Sequence, residues 1–230
     1  MRAWVINLDA REDRWESVIS QSDLLGLEIC RVSAVNQDYL SPGELVFSPK
    51  GVVATWKSHQ KACKHFLESG DSFGLILEDD FRLKRNYEVP TVQELLDSGV
   101  DFLQLGYLKV TLWEGLDLGA YNIRNLTLRT IELVSRFTPD HPIRSKRLIS
   151  ELVGRPMKWV AADVRPGGQG YVVSRHFAES VLKLNSPTCL SADGFYEALS
   201  KSRAFNMFRI STSQISQTNS PSSVKERFNS

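Results

Sequence analysis

The chain has 230 residues, 42% of them hydrophobic, which is material for one substantial core, and no apolar run approaches the length of a membrane span. A charged fraction of 24% nets to +1, so overall charge gives no pull toward nucleic acid and any electrostatic recognition must be local. Three widely spaced cysteines, Cys30, Cys63 and Cys189, form no C-x-x-C pair; they suggest neither a disulfide framework nor a zinc knuckle and fit reduced thiols in the cytoplasm.

The opening stretch Met1 to Asp9 is too short in apolar residues for a signal peptide before the charges begin. Trp4, Val5, Ile6 and Leu8 instead predict a buried first strand, and the charges from Asp9 to Arg14 start a helix carrying Trp15, Val18 and Ile19. Strand then helix is the opening of an α/β domain. Asn7, Arg11 and Arg14 fall at or just past the carboxyl end of that strand. Two guanidinium groups there suit bidentate contact with a diphosphate, and they equally suit pairing with Glu12 or Asp13 on a wet helix face. Leu27 to Val32 alternates as a second strand, and turn residues at Ser41-Pro42-Gly43 and Ser48-Pro49-Lys50-Gly51 mark a loop. Gly51 to Ser69 then reads as a helix with Val52, Trp56, Cys63 and Leu67 on one stripe and His59 on its flank. His59 is there either a core-edge histidine or a ligand contact.

Gly74-Leu75-Ile76-Leu77-Glu78-Asp79-Asp80 carries the chemistry of the sequence. Leu75, Ile76 and Leu77 predict a strand covered on both faces, the habit of a parallel sheet, and it runs directly into three carboxylates. Adjacent negative charges repel one another and resist desolvation, so they belong either in a solvated acidic turn or around a divalent cation. Strand alternation would point Glu78 and Asp80 one way and Asp79 the other. The crevice beyond strand carboxyl ends is also where open α/β sheets bind ligands.

Thr91 to Ser98 predicts a short helix and Val100 to Gly106 another buried strand. Residues 107–160 gather Arg124, Arg129, Arg136, Arg144, Lys146, Arg147, Arg155 and Lys158. This is either an ordinary solvated surface or a patch for an anionic acceptor or a membrane surface. Gly167-Gly168-Gln169-Gly170 leads into a strand, Tyr171 to Arg175, with glycines that permit close approach to a ligand or merely a tight turn. Helices follow over His176 to Leu184 and from near Ser191, where Asp193 is a catalytic carboxylate or a helix N-cap. The last predicted strand is Phe205 to Ile210, and the polar run from Ser211 to Ser223 predicts a loop or flexible tail.

Taken together, these segments resemble glycosyltransferase family 25, which includes lipopolysaccharide galactosyl- and glucosyltransferases and the collagen galactosyltransferases. The resemblance is carried by Val5-Ile6-Asn7-Leu8-x-x-Arg11-x-x-Arg14, Ser58-His59, Ile76-Leu77-Glu78-Asp79-Asp80 and Asp101 to Gly106. It continues through Gly168 to Arg175, Ser191-Ala192-Asp193, and Gln217 with Ser220. Order and spacing match over roughly residues 2–106 and 167–220. The family often has Gly-Cys shortly before Ser-His, where this chain has Ala54-Thr55 and Trp56-Lys57.

The resemblance implies an α/β fold of GT-A type with a mostly parallel central sheet flanked by helices. It implies a single catalytic domain over 1–212, an acceptor-side insertion at 107–160 and a loop or flexible tail over 213–230. It implies Mn²⁺ or Mg²⁺ held by Asp80 with Glu78, and a donor site made by Asn7, Arg11, Arg14, Ser58, His59, Glu78, Asp79, Gly168 and Gln169. Asp193 would be the base. The reaction implied moves a hexose, galactose or glucose, from a UDP-sugar to a glycan or lipid-linked glycan, with inversion. A metal-dependent nucleotidyl- or phosphotransferase and a non-catalytic carbohydrate-binding relative are the rival classes. No nucleic-acid partner is expected, and the place of work is the cytoplasm, with the basic stretch 124–158 touching the inner face of a membrane.

Overall fold

The computed structural model describes residues 1–41, 48–85, 87–107, 159–160, 164–165, 167–210 and 213–218. The basic stretch 124–158, most of the expected insertion and Ser220 lie outside the described residues. The first strand, β1 (Arg2–Asn7), leads through helices α1 (Glu12–Ile19) and α2 (Ser22–Leu25) to β2 (Ile29–Ser33). The long helix α3 (Lys50–Glu68) precedes β3 (Phe73–Glu78), and a tight turn then enters β4 (Phe81–Leu83). Helix α4 (Val92–Ser98) starts at a capping box, Thr91 with Glu94, and is followed by β5 (Phe102–Gly106). Beyond come β6 (Trp159–Val160), β7 (Gly170–Ser174), α5 (Arg175–Lys183), α6 (Ala192–Ser202), β8 (Met207–Ile210) and β9 (Ile215–Gln217). Among the described residues no helix is long and apolar enough to cross a membrane.

The protein is α/β, with one sheet in the order β2-β1-β3-β7-β5-β8-β6 and β4 and β9 joined at its side. Period-two alternation divides the core into two layers. Ala3, Val5, Leu75, Leu77, Leu103 and Leu105 face Val18, Leu25 and Leu95 on one side. Trp4, Ile6, Ile76, Phe102, Tyr171 and Val173 face Trp56, Phe66, Phe177 and Phe195 on the other. Helices thus cover both faces, which is why the central strands are continuous apolar runs.

The expectation of a mostly parallel sheet is corrected. β1 runs parallel to β2 and β3, but β7 is antiparallel to both β3 and β5, and β6 and β4 are antiparallel to β8 and β9. The sheet is mixed. An apolar run buried on both faces reports a central position and is silent about direction, so Leu75-Ile76-Leu77 could not reveal its antiparallel neighbour. The consequence is functional: pairing of Leu77 with Gly170 sets the amino end of β7, and the glycine turn before it, beside the carboxyl end of β3.

A second correction concerns the polar run after residue 210. Ile215–Gln217 is a strand, paired with Phe81–Leu83 and with Gly106, rather than loop or tail. Ile215 is fully buried and seats against Gly170, where an added Cβ would run into both Ile215 and Leu77. One apolar residue among serines has no periodicity to read; the strand exists because a distant pocket receives that side chain.

Candidate functional site

The apolar run of β3 ends at Glu78, and the turn that follows sends the three acids to three different neighbours. Asp79 goes to the first strand and helix, where Asn7 Nδ2 donates to its Oδ2 at 2.8 Å and Arg14 Nη1 donates to its Oδ1 at 2.7 Å. Both side chains of this ion pair are only 10% exposed. Asn7 is held in turn by Arg31, whose Nε donates to Asn7 Oδ1 at 2.9 Å, and Arg31 also reaches Glu12. Arg11 instead forks onto Asp13 at 2.8 and 2.7 Å, and that pairing holds the Asp13 carboxyl down to about 2. Asn7, Arg11 and Arg14 are therefore at the carboxyl end as expected, with both guanidinium groups on carboxylates.

Asp80 turns toward β9. Its Oδ2 accepts from Gln217 Nε2 at 2.7 Å, while its Oδ1 is buried with no hydrogen-bond partner among the described residues. Burial, then the charge of Glu78, push this carboxyl up to about 6, against the opposing pull of Gln217. The expected same-side pair of Glu78 and Asp80 does not follow strand alternation, because β3 has already ended at Glu78. Among the described residues no group of three His, Cys, Asp or Glu side chains is assembled as a metal cage.

Glu78 turns toward α3 and α6. Its Oε1 is 3.5 Å from His59 Nε2, and its backbone N–H donates to the Gln169 carbonyl at 3.3 Å. Asp193 approaches from the first turn of α6 and accepts from the Gly167 N–H at 3.0 Å. Between the two carboxylates lies Gly168, where a Cβ would stand 3.0 Å from both Glu78 Oε1 and Asp193 Oδ1 and 3.8 Å from His59 Cε1. Only glycine leaves that cradle open. Burial, then the charge of Glu78, push the Asp193 carboxyl up to about 6, with the Gly167 N–H opposing. The N-cap of α6 is Ser191, whose hydroxyl accepts from the Gly194 N–H, so Asp193 is free of that structural duty.

The glycine turn is held from beneath by Gln104, the one polar side chain in β5. Its Nε2 donates to the carbonyls of Arg165 and Gly167 at 2.7 and 3.0 Å, and its Oε1 accepts from the Arg165 N–H at 3.0 Å. Gln169 is buried beside it, with Oε1 lacking a partner among the described residues. Ser58 and His59, adjacent on α3, separate. The Ser58 hydroxyl donates to the Ala54 carbonyl and accepts from the Val35 N–H, tying the segment after β2 to the helix. His59 faces Glu78 and Tyr171.

Sequence reasoning did not single out Gln104, Tyr171 or Tyr196. The first had a signal, an amide in the middle of an apolar strand, which when buried must be satisfied. The two tyrosines had none, because buried aromatic residues are ordinary core. The chain matches no model of a known protein family and no curated protein.

Proposed function

We propose that the carboxyl end of β3 is a sugar-nucleotide site, and that the chain is a metal-dependent glycosyltransferase of GT-A type. It moves a hexose, galactose or glucose, from a UDP-sugar to a glycan or lipopolysaccharide-type acceptor with inversion. The observation that supports this best is the convergence of Glu78 and Asp193 on the open cradle at Gly168, with Asp80 near enough to Glu78 to feel its charge.

A buried carboxylate oxygen without a partner among the described residues, Asp80 Oδ1, suits a hard divalent cation, which takes oxygen ligands. Asp80 and Glu78 would hold Mn²⁺ or Mg²⁺, which when bound supplies neutralisation of the charge developing on the departing diphosphate. The chain's own side chains do the rest. Asp193 takes the proton of the acceptor hydroxyl as that oxygen attacks the anomeric carbon opposite the diphosphate. Gly168 admits the donor sugar where any side chain would block it, and Gln169 Oε1 accepts from a sugar hydroxyl. Asn7, fixed by Asp79 and Arg31, faces the nucleoside, with Arg14 and Asp79 as its rigid wall. Arg11 exchanges Asp13 for phosphate oxygens, a small step for an exposed pair. The work is placed in the cytoplasm at a membrane's inner face, through the basic stretch 124–158.

A thermal-shift panel of nucleotide sugars with Mn²⁺, Mg²⁺ or chelator tests the proposal, since a ligand stabilises the folded state that binds it. A UDP-hexose should raise the melting temperature only when metal is present. Stabilisation by, and turnover of, a nucleoside triphosphate with no response to sugar nucleotides would reject it in favour of a phosphotransferase.

A further inference from the structure

Behind Glu78 a short polar chain runs through an otherwise apolar layer. His59 Nδ1 lies 2.6 Å from the Tyr171 hydroxyl, which lies 2.8 Å from the Tyr196 hydroxyl. All three rings are 1% exposed. Phe102 stacks on Tyr171 with ring centroids 5.0 Å apart, and Trp56 and Phe177 pack on Tyr196. Among the described residues neither phenol has another hydrogen-bond partner. Burial pushes both phenols well above their ordinary value, so each keeps its proton, and Cys63 in the same layer is pushed up to about 12 and stays a neutral thiol.

These groups can be wired in two ways, because a neutral imidazole has one N–H and one acceptor nitrogen. In the first, Tyr196 donates to Tyr171, Tyr171 donates to His59 Nδ1, and the imidazole proton sits on Nε2, 3.5 Å from Glu78 Oε1. Both phenol protons then have acceptors, and the Nε2–H points its positive end at the Glu78 carboxylate across a distance longer than a hydrogen bond. In the second, His59 Nδ1–H donates to Tyr171 and Tyr171 donates to Tyr196. That leaves the Tyr196 O–H buried among aromatic rings with nothing among the described residues to accept it, a full desolvation cost without return. It also turns the Nε2 lone pair toward the Glu78 carboxylate, with Asp193 across Gly168 adding a second negative charge nearby.

We propose that Tyr171, which itself receives the Tyr196 proton, locks His59 as the Nε2–H tautomer, a fixed donor toward Glu78 and toward any ligand oxygen bound beside it. Tyr171 is thus a positioning residue that acts through His59. Its relevance to a sugar nucleotide rests on the proposed function; the tautomer itself does not. The arrangement parallels the way outer partners fix a functional imidazole in metal sites.

Two-bond ¹H–¹⁵N correlation spectra of the full chain, labelled at histidine and recorded at about pH 8, above the ordinary histidine range, read the tautomer directly. His59, one of four histidines, is assigned by its absence in His59→Gln. The expected spectrum has a pyridine-like Nδ1 and a pyrrole-like Nε2. Tyr171→Phe should lose that pattern to an averaged pair of shifts, whereas Tyr196→Phe should keep it, because Tyr171 can still donate. A pyrrole-like Nδ1 or an averaged pair in the wild type overturns the inference, as does retention of the pattern in Tyr171→Phe or its loss in Tyr196→Phe. Should Tyr171→Phe fail to fold, the wild-type and Tyr196→Phe spectra decide alone. No nucleotide or metal is needed, so a wrong donor assignment leaves this result standing and the thermal-shift panel fails separately.

Discussion

Among the described residues Asp193 accepts one hydrogen bond, from the Gly167 N–H, while burial and the charge of Glu78 push its carboxyl from 3.8 to about 6. The folded protein therefore binds more protons than the unfolded chain between those values, and stability falls as pH rises through them. Asp80 contributes a similar share, pushed from 3.8 to about 6. In metal-free protein, Asp193→Asn should roughly halve the loss of stability between about pH 4 and about pH 6, worth at most about 3 kcal/mol in all for that residue. Thermal melts across that range read the slope, and an unchanged slope would contradict the environment described for Asp193. On the proposed function, the same variant should abolish hexose transfer while leaving metal-dependent binding of the donor nearly intact; loss of both together would remove Asp193 as the base. At this scale the sequence was readable where chemistry is local. Carboxylates at a strand end were visible, and so was Ser58-His59 as a pair. What could not be read is that Ser58 faces Val35 and His59 faces Glu78, since that depends on which element packs on each side of α3.

At the scale of elements, the site exists because β7 runs against β3 and delivers the glycine turn to Glu78. Gly168→Ala would place a methyl group 3.0 Å from Glu78 Oε1 and Asp193 Oδ1. We expect a cost of about 1–3 kcal/mol from overpacking, together with loss of donor-induced thermal stabilisation. Full retention of donor binding would show that the cradle is not used. β9 is the other element on which the acidic turn depends, because Gln217 donates to Asp80 and the Thr218 N–H donates to the Asp80 carbonyl at 2.7 Å. Ile215 anchors it, and Ile215→Ala should cost about 2–5 kcal/mol in chemical denaturation. A cost under about 1 kcal/mol would mean that β9 is not the fixed strand described here. The helices and central strands were legible from periodicity, from Lys50–Glu68 to Phe102–Gly106. Strand direction and the three-residue strand at Ile215 were not, because both are set by pairing partners far away in sequence.

At the scale of the whole molecule, both ends of the described chain meet at one place. Asn7 and Arg14 come from the first strand and helix, His59 from α3 and the three acids from β3. Asp193 and Gln217 arrive from the last third. A near-neutral protein thereby concentrates negative charge at one sheet end, and the division of labour among the three acids follows. Asp79 is consumed by Arg14 and Asn7, Glu78 faces the cradle, and Asp80 keeps one oxygen without a partner among the described residues. Isothermal titration calorimetry of UDP-glucose and UDP-galactose with wild type and Asp80→Ala, in Mn²⁺ and in chelator, tests this most directly. One of the two sugars should bind the wild type in Mn²⁺. Its affinity should fall at least about tenfold, or 1.4 kcal/mol, both in chelator and in Asp80→Ala. Equal affinity with metal and with chelator, in both proteins, would contradict a metal-dependent sugar-nucleotide site at the end of β3.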